Sequence, residues 1–340
     1  MTAPADNHQD MHFSIRYVSR YSYDAEVVDN VNALRVRPAT NARQRVDEFS
    51  VRLTPDVRLH RHDDYFGTEV VEFEVTRPHR ELTIDVRARV STSDQPDPTD
   101  TSWEALQAAG YRNAAGEFLL QQDDAPGHRL LGELHQEMDA APTPLAAVML
   151  AADLIPARFE YRRGATYVDS PLSDLLDGGA GVCQDFTHLG LHLLRHRGIA
   201  ARYVSGYLYT TNGHTAGGAP LSTPHADAGA GEQRAGEQRA GEAGHGEARA
   251  GRYAQSVEVD THAWVEALLP REDGEPVWVG VDPTNRGLAG ERHVKIGHGR
   301  HYADVPPIKG VYRGLASATL EARVTMTRDD GSDPVAAARG

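Results

Sequence analysis

Among 340 residues there is one cysteine, Cys183. A lone thiol excludes a disulfide framework and any zinc or iron–sulfur site built from several cysteines. Basic charge is also scarce, with 35 Lys and Arg against 49 Asp and Glu and a net charge of −14. The phosphate-neutralising term that drives nucleic-acid binding is therefore missing, and no nucleic-acid partner is expected. Lys295 and Lys309 are the only lysines, which reads as a coding bias toward arginine. No window approaches the roughly 20 apolar residues of a membrane-spanning helix, so no membrane association is expected. The polar first ten residues have no apolar run behind them and do not resemble a secretory signal; the expected location is cytoplasmic. Glycine-rich phosphate loops and G-x-G-x-x-G are absent too, so no nucleotide is implied.

The chain does contain enough apolar residues, 40% of the total, for about two packed domains. Phe13, Ile15 and Tyr17, then Phe49, Val51 and Leu53, then Val71, Phe73 and Val75, then Leu82, Ile84 and Val86 alternate with polar residues. That period of two predicts strands with one buried face, and a sandwich-like all-β domain over 12–98 after a disordered stretch at 1–11. A helical connection is expected over 99–142, with helices from Trp103 to Ala109 and from His128 to Met138. The second domain spans 143–312 and opens with the cap and first-turn pair Thr143-Pro144, followed by apolar residues at helical spacing. A further helix starts at Ser170-Pro171. Within 213–251, 20 of 39 residues are Gly or Ala, and this insertion is expected to be disordered. A last strand is expected over 313–327 and a frayed tail over 328–340.

Chemistry concentrates in three places. The segment Cys183 to Gly198 follows a glycine-rich loop and reads as an amphipathic helix, with Phe186, Leu189, Leu193 and Leu194 on the side of Cys183 and Gln184, Asp185, His188, His192, Arg195 and His196 on a solvated side. A thiol in the first turn of a helix meets free N–H groups and the positive end of the dipole, which stabilise a thiolate and can hold an oxyanion. Downstream, Gln255 to Leu269 and Val277 to Asp282 read as strands, with His262, Trp264 and Glu266 on one face of the first and Trp278 and Asp282 on the matching face of the second. If the turn between them centres on Glu272, His262 and Asp282 stand opposite each other, and a carboxylate so placed orients an imidazole. Glu266 is the second candidate orienter. Cys183, His262 and Asp282 thus supply a nucleophile, a base and an orienter for thiol acyl transfer.

Four stretches carry a family resemblance: Gly181-Val-Cys-Gln-Asp-Phe186, Arg202-Tyr-Val-Ser-Gly-Tyr207, His262-Ala-Trp-Val-Glu266 and Trp278-Val-Gly-Val-Asp-Pro-Thr-Asn285. The chain resembles the transglutaminase-like proteins of bacteria, which are often described as cysteine peptidases. The resemblance extends to an N-terminal β domain and to the late segment Gly299 to Pro307, where His301 replaces an expected aspartate. It implies an α+β protein in which a papain-like core, a cysteine-bearing helix packed on an antiparallel sheet, follows the β domain. It also implies the nucleophile at Cys183, the base at His262 and the third member at Asp282, with no cofactor and no metal. The expected activity is hydrolysis of a peptide or isopeptide amide in a protein or peptide substrate. The alternatives are amine transfer to glutamine and a non-catalytic binding module. A metal site on His188, His192 and His196, spaced by four on one helix, is a weaker reading, and His60 with His62 is weaker still.

Overall fold

The computed structural model describes residues 10–121, 127–168, 170–210, 256–259, 261–271 and 275–329. The Gly/Ala-rich insertion, residues 1–9 of the N-terminal stretch and residues 330–340 of the tail lie outside the described residues. Met11 is already buried within a strand.

Alternation builds the first unit. In β1 (Met11–Leu34), Phe13, Ile15, Tyr17 and Tyr21 are buried while His12, Arg16 and Arg20 face solvent, as the two faces of a strand require. β1 is joined by β2 (Gln44–Thr54), β3 (His60–Asp63), β4 (Glu69–Val75) and β5 (His79–Thr92). Its first half pairs antiparallel with β5, which pairs with β2. Past a register shift between Ser22 and Val27, its second half pairs with β4, which pairs with β3. One long strand thereby joins two leaves around a common core.

The connection is helical, although the segment from Trp103 is a 3-10 turn over Trp103–Gln107 followed by α1 (Ala109–Ala115). Ala108, at ψ 139°, is extended and keeps the two from merging. α2 (Arg129–Asp139) and α3 (Pro144–Arg158) follow. Thr143 Oγ1 accepts from the Ala146 N–H at 3.2 Å, and Pro144 occupies the first turn of α3. Next come β6 (Glu160–Tyr161), α4 (Leu172–Gly178), β7 (Ala180–Gly181) and α5 (Cys183–His196). Gly179, at φ 66°, ends α4 in the left-handed region that glycine tolerates. Among the described residues no helix is long and apolar enough to cross a membrane.

The second sheet contains β8 (Ala201–Leu208), β10 (Thr261–Leu269), β11 (Val277–Asp282), β12 (Gly287–Leu288) and β13 (His293–Gly299), in the order β12-β11-β10-β8-β13. All of its pairs are antiparallel. The strand expected from Gln255 to Leu269 contributes two strands to different sheets. Its first part, β9 (Ser256–Val259), pairs with the C-terminal strand β15 (Ala318–Arg328) in the first sheet. β14 (Ile308–Arg313) and β15 both pair with β1, so the return to the first unit begins at Ile308, before the boundary expected at 312.

The β10–β11 register also differs from expectation. Val265 pairs with Val281 and Ala267 with Val279, so the pairing differs by two from the one expected about Glu272, which itself lies outside the described residues. A shift of two preserves the faces, and His262 and Asp282 become diagonal neighbours. The helices cover one side of this sheet, where Val265, Val279 and Val281 pack with Phe186, Leu189 and Leu193 of α5. Farther along the same face, Tyr207 and its partner Val294 join the core of the first unit.

Candidate active site

The first turn of α5 is fixed by its own sequence. Asp185 reaches back to accept from the Val182 N–H at 2.7 Å, and Thr166 Oγ1 donates to the same oxygen at 2.5 Å. Burial pushes this carboxyl up from its ordinary range, and those hydrogen bonds work against it. Gly181 leaves the room: a Cβ there would stand 2.8 Å from both Asp185 Oδ2 and a Leu175 methyl. β6 runs parallel to β7, with the Arg162 N–H donating to Gly181 O at 2.9 Å, so the residues before Cys183 are tied to the end of α3. Cys183 is half-buried at the start of this helix.

His262 is the second residue of β10 and is buried. Its Nε2–H donates to Asp282 Oδ2 at 2.7 Å, and Cys183 lies close enough to act on its imidazole, so the structure brings the three residues together. With Nε2 committed to the carboxylate, Nδ1 is the atom left for sulfur. Burial alone would lower the His262 pKa. The Asp282 charge and hydrogen bond, with the contact to Cys183, outweigh it and raise the value to about 10. Asp282, 1% exposed, would be raised by burial but is held well below the usual carboxylate range by His262 and by a second imidazole, His293. The Asn285 Nδ2–H also donates to Oδ2 at 2.6 Å, and the Thr284 and Asn285 backbone N–H groups donate to Oδ1 at 2.9 and 3.2 Å.

Asn285 lies within a stretch read from sequence, where no role was given to it. His293 was missed; only its nearness in sequence to the Asp282 turn hinted at it. His262, Asp282 and His293 offer ligand atoms within 4.8 Å of one another, the spacing a metal could use. The hydrogen bonds oppose that use. The Gly290 N–H donates to His293 Nδ1 at 3.1 Å, which places the proton of a neutral ring on Nε2, where it points at Asp282 Oδ2 at 3.0 Å. A metal on Nε2 would have to displace that proton.

Glu266, the second candidate orienter, is engaged elsewhere. Its Oε2 accepts from Lys295 Nζ and from Arg202 Nε, each at 2.6 Å. Burial would raise this carboxyl, yet the two cations hold it below its ordinary range. Lys295 is lowered to about 8 by burial and by Arg202, against the pull of Glu266. The first unit covers the face carrying these groups. Gln44 Oε1 accepts from the Lys295 N–H at 2.8 Å while its Nε2 donates to Lys295 O at 2.7 Å. Gln95 makes the same two-point contact with Gly280, at 3.0 Å in both directions. Trp264 is buried with Val204 and Ala289, behind His262.

The solvated side expected for α5 is likewise largely covered. Arg195 donates to Phe118 O, Ala201 O and Arg300 O, Gln184 Nε2 donates to Val168 O at 2.6 Å, and His192 is buried. His188 Nε2 accepts from the Tyr302 N–H at 3.2 Å, and burial, with His301 and Arg195 nearby, lowers its pKa to about 4. His192 and His196 instead stack with His135, with ring centroids 5.2 and 3.8 Å apart and planes nearly parallel. Lone pairs in parallel planes do not converge on an ion, and these histidines do not form the metal site considered above.

Comparison with known proteins agrees with this layout. Residues 13–91 match the bacterial transglutaminase-like N-terminal region, and residues 132–283 match the transglutaminase-like superfamily. An uncharacterized protein of Mycobacterium leprae is 31% identical over 309 residues, covering 91% of this chain and 95% of the relative. A Pseudomonas aeruginosa protein-glutamine gamma-glutamyltransferase is 26% identical over 221 residues, 63% of this chain and 25% of that protein. The crystal structure of a Cytophaga hutchinsonii protein, provisionally described as a cysteine protease, shares the fold with a TM-score of 0.66 at 22% identity, covering 96% and 93% of the two chains. With both regions matched in order and a relative aligned over nearly its whole length, the chain belongs to the transglutaminase-like superfamily.

Proposed function

We propose that the chain hydrolyses peptide or isopeptide amides by thiol acyl transfer, with Cys183 as nucleophile, His262 as base and acid, and Asp282 as orienter. The observation that carries this reading is the position of His262, hydrogen-bonded to a buried carboxylate and close enough to the one thiol of the chain to be influenced by it. Raised basicity favours the imidazolium, and an imidazolium beside sulfur favours the thiolate. The thiolate attacks the carbonyl carbon and the carbonyl π electrons move to oxygen, near the free N–H groups at the start of α5. Collapse breaks the C–N bond as His262 gives its Nδ1 proton to the departing amine, leaving a thioester. Water then adds to the thioester, His262 takes its proton, and the C–S bond breaks to restore the thiolate and release the acid.

The rate of iodoacetamide alkylation against pH tests the pair directly, because Cys183 is the one cysteine present. The wild type is expected to react rapidly at neutral pH, and His262→Ala to lose that reactivity. An inert thiol, or the same ordinary titration in both proteins, refutes the catalytic reading and favours a binding module. The Pseudomonas relative's name favours a second reading, amine transfer to protein glutamine. Incubating the enzyme with a glutamine-containing protein and a fluorescent primary amine separates the two, since transfer labels the protein whereas hydrolysis yields free acid without label.

A further inference from the structure

Asp282 needs one partner to orient His262, yet Oδ2 serves two imidazoles. His262 Nε2 approaches at 2.7 Å and His293 Nε2 at 3.0 Å. The two rings come from separate strands of one sheet, β10 and β13, each paired with β8. One indole touches both: Trp264 lies edge-on to His293 at 5.2 Å and in offset stacking with His262 at 6.2 Å. Gly206 makes this possible, because a Cβ there would meet the Trp264 ring at 2.6 Å and Val294 O at 2.2 Å. The backbone also dictates how His293 is protonated. Since Nδ1 accepts from the Gly290 N–H, the neutral ring carries its proton on Nε2 and is a donor toward the carboxylate.

We infer that His293 is a positioning residue for acyl transfer, a neutral donor that holds Asp282 Oδ2 against His262 without cancelling the carboxylate's charge. A lysine or arginine in its place would supply the hydrogen bond but neutralise the charge that His262 requires. The benefit falls at a definite step. When His262 has given its proton to the leaving amine, its bond to Asp282 is weakest, and the His293 N–H keeps the oxygen aimed until the proton returns from water. This inference rests on the reading of Cys183, His262 and Asp282 given above.

The test compares alkylation of Cys183 at pH 7 in the wild type, His293→Phe, His293→Gln and His262→Ala, with thermal unfolding measured for each. Phenylalanine keeps a planar ring and removes the donor. Glutamine places an N–H as many bonds from Cα as the imidazole Nε2. Both variants deprive the Gly290 N–H of its ring acceptor, so their difference isolates the donor to Asp282. His293→Phe is expected to react about tenfold more slowly or worse, because small displacements of a reacting group carry penalties of that order, and His293→Gln to recover most of the loss. If His293→Phe does not fold, His293→Asn, whose amide stops short of Asp282, replaces it as the donorless variant. Wild-type reactivity without the donor, alongside a slow His262→Ala, overturns the role of His293 and leaves the triad standing. Equal slowness in the glutamine and donorless variants overturns it as well, since the donor is then not what matters. A His262→Ala protein that reacts like the wild type removes the base, and this inference with it.

Discussion

Replacing Asp282 by asparagine removes one charge and keeps the shape of the side chain, and its effect on stability has a pH dependence of known sign. In the folded protein His262 is raised from 6.5 to about 10, a difference of 3.5 units that corresponds to about 5 kcal/mol of preferential proton binding. A raised base stabilises the fold fully below its unfolded pKa and loses that contribution as pH climbs toward the folded value. The wild type therefore loses about 1.4 kcal/mol per pH unit through His262 between roughly pH 6.5 and 10. Lys295, lowered to about 8, acts oppositely, because the unfolded chain holds its proton above that pH while the folded one does not. It masks the decline in the wild type alone but is common to both proteins and cancels in the difference. In Asp282→Asn the main force raising His262 is gone. The stability difference between wild type and Asp282→Asn, measured by urea unfolding, should shrink by about 3 kcal/mol from pH 7 to pH 9.5. A difference that stays constant over that range refutes the assignment of the His262 shift to Asp282.

Lys295→Met leaves the buried Glu266 carboxylate with Arg202 alone and should destabilise by about 3 kcal/mol or more in urea unfolding; a loss below about 1 kcal/mol contradicts the buried pair. Gly181→Ala places a methyl 2.8 Å from Asp185 Oδ2 and is expected to cost about 1–3 kcal/mol and to slow Cys183 alkylation, because the first turn of α5 has to shift. Unchanged reactivity in a folded Gly181→Ala protein would show that the turn tolerates the change. Gln44→Ala removes both side-chain contacts to the Lys295 backbone. Hydrogen exchange at the Lys295 amide should accelerate while that of buried amides in α5 does not, and parallel acceleration at both would mean global rather than local loosening.

What the sequence reveals and conceals about this site follows from the range of each interaction. The Thr143 cap, the start of α5 at Cys183 and the shared face of His262, Trp264 and Glu266 depend on residues within a few positions of one another, and periodicity reads them. The partner of a strand does not depend on local spacing. Val257 and Val259 continue the alternation of Thr261, Ala263 and Val265, yet β9 pairs with β15 and β10 with β8 and β11. Alternation says which residues share a face, and the sheet that receives the face is decided by chain from the far end of the protein. The same limit hid the ion pair of Glu266, whose partner Lys295 comes from β13, and the covered side of α5, where Arg195 bonds carbonyl groups as distant as Arg300. It also explains why an error in register still left His262 and Asp282 on one face: the pairing moved by two, and a period of two absorbs the change. His262 stands three residues after the end of β9 and near the start of the strand that meets α5, so its position depends on both sheets at once. The first unit therefore belongs to the framework of the site, since it supplies β1 and β15 to hold β9, and Gln44 and Gln95 to grip β13 and β11.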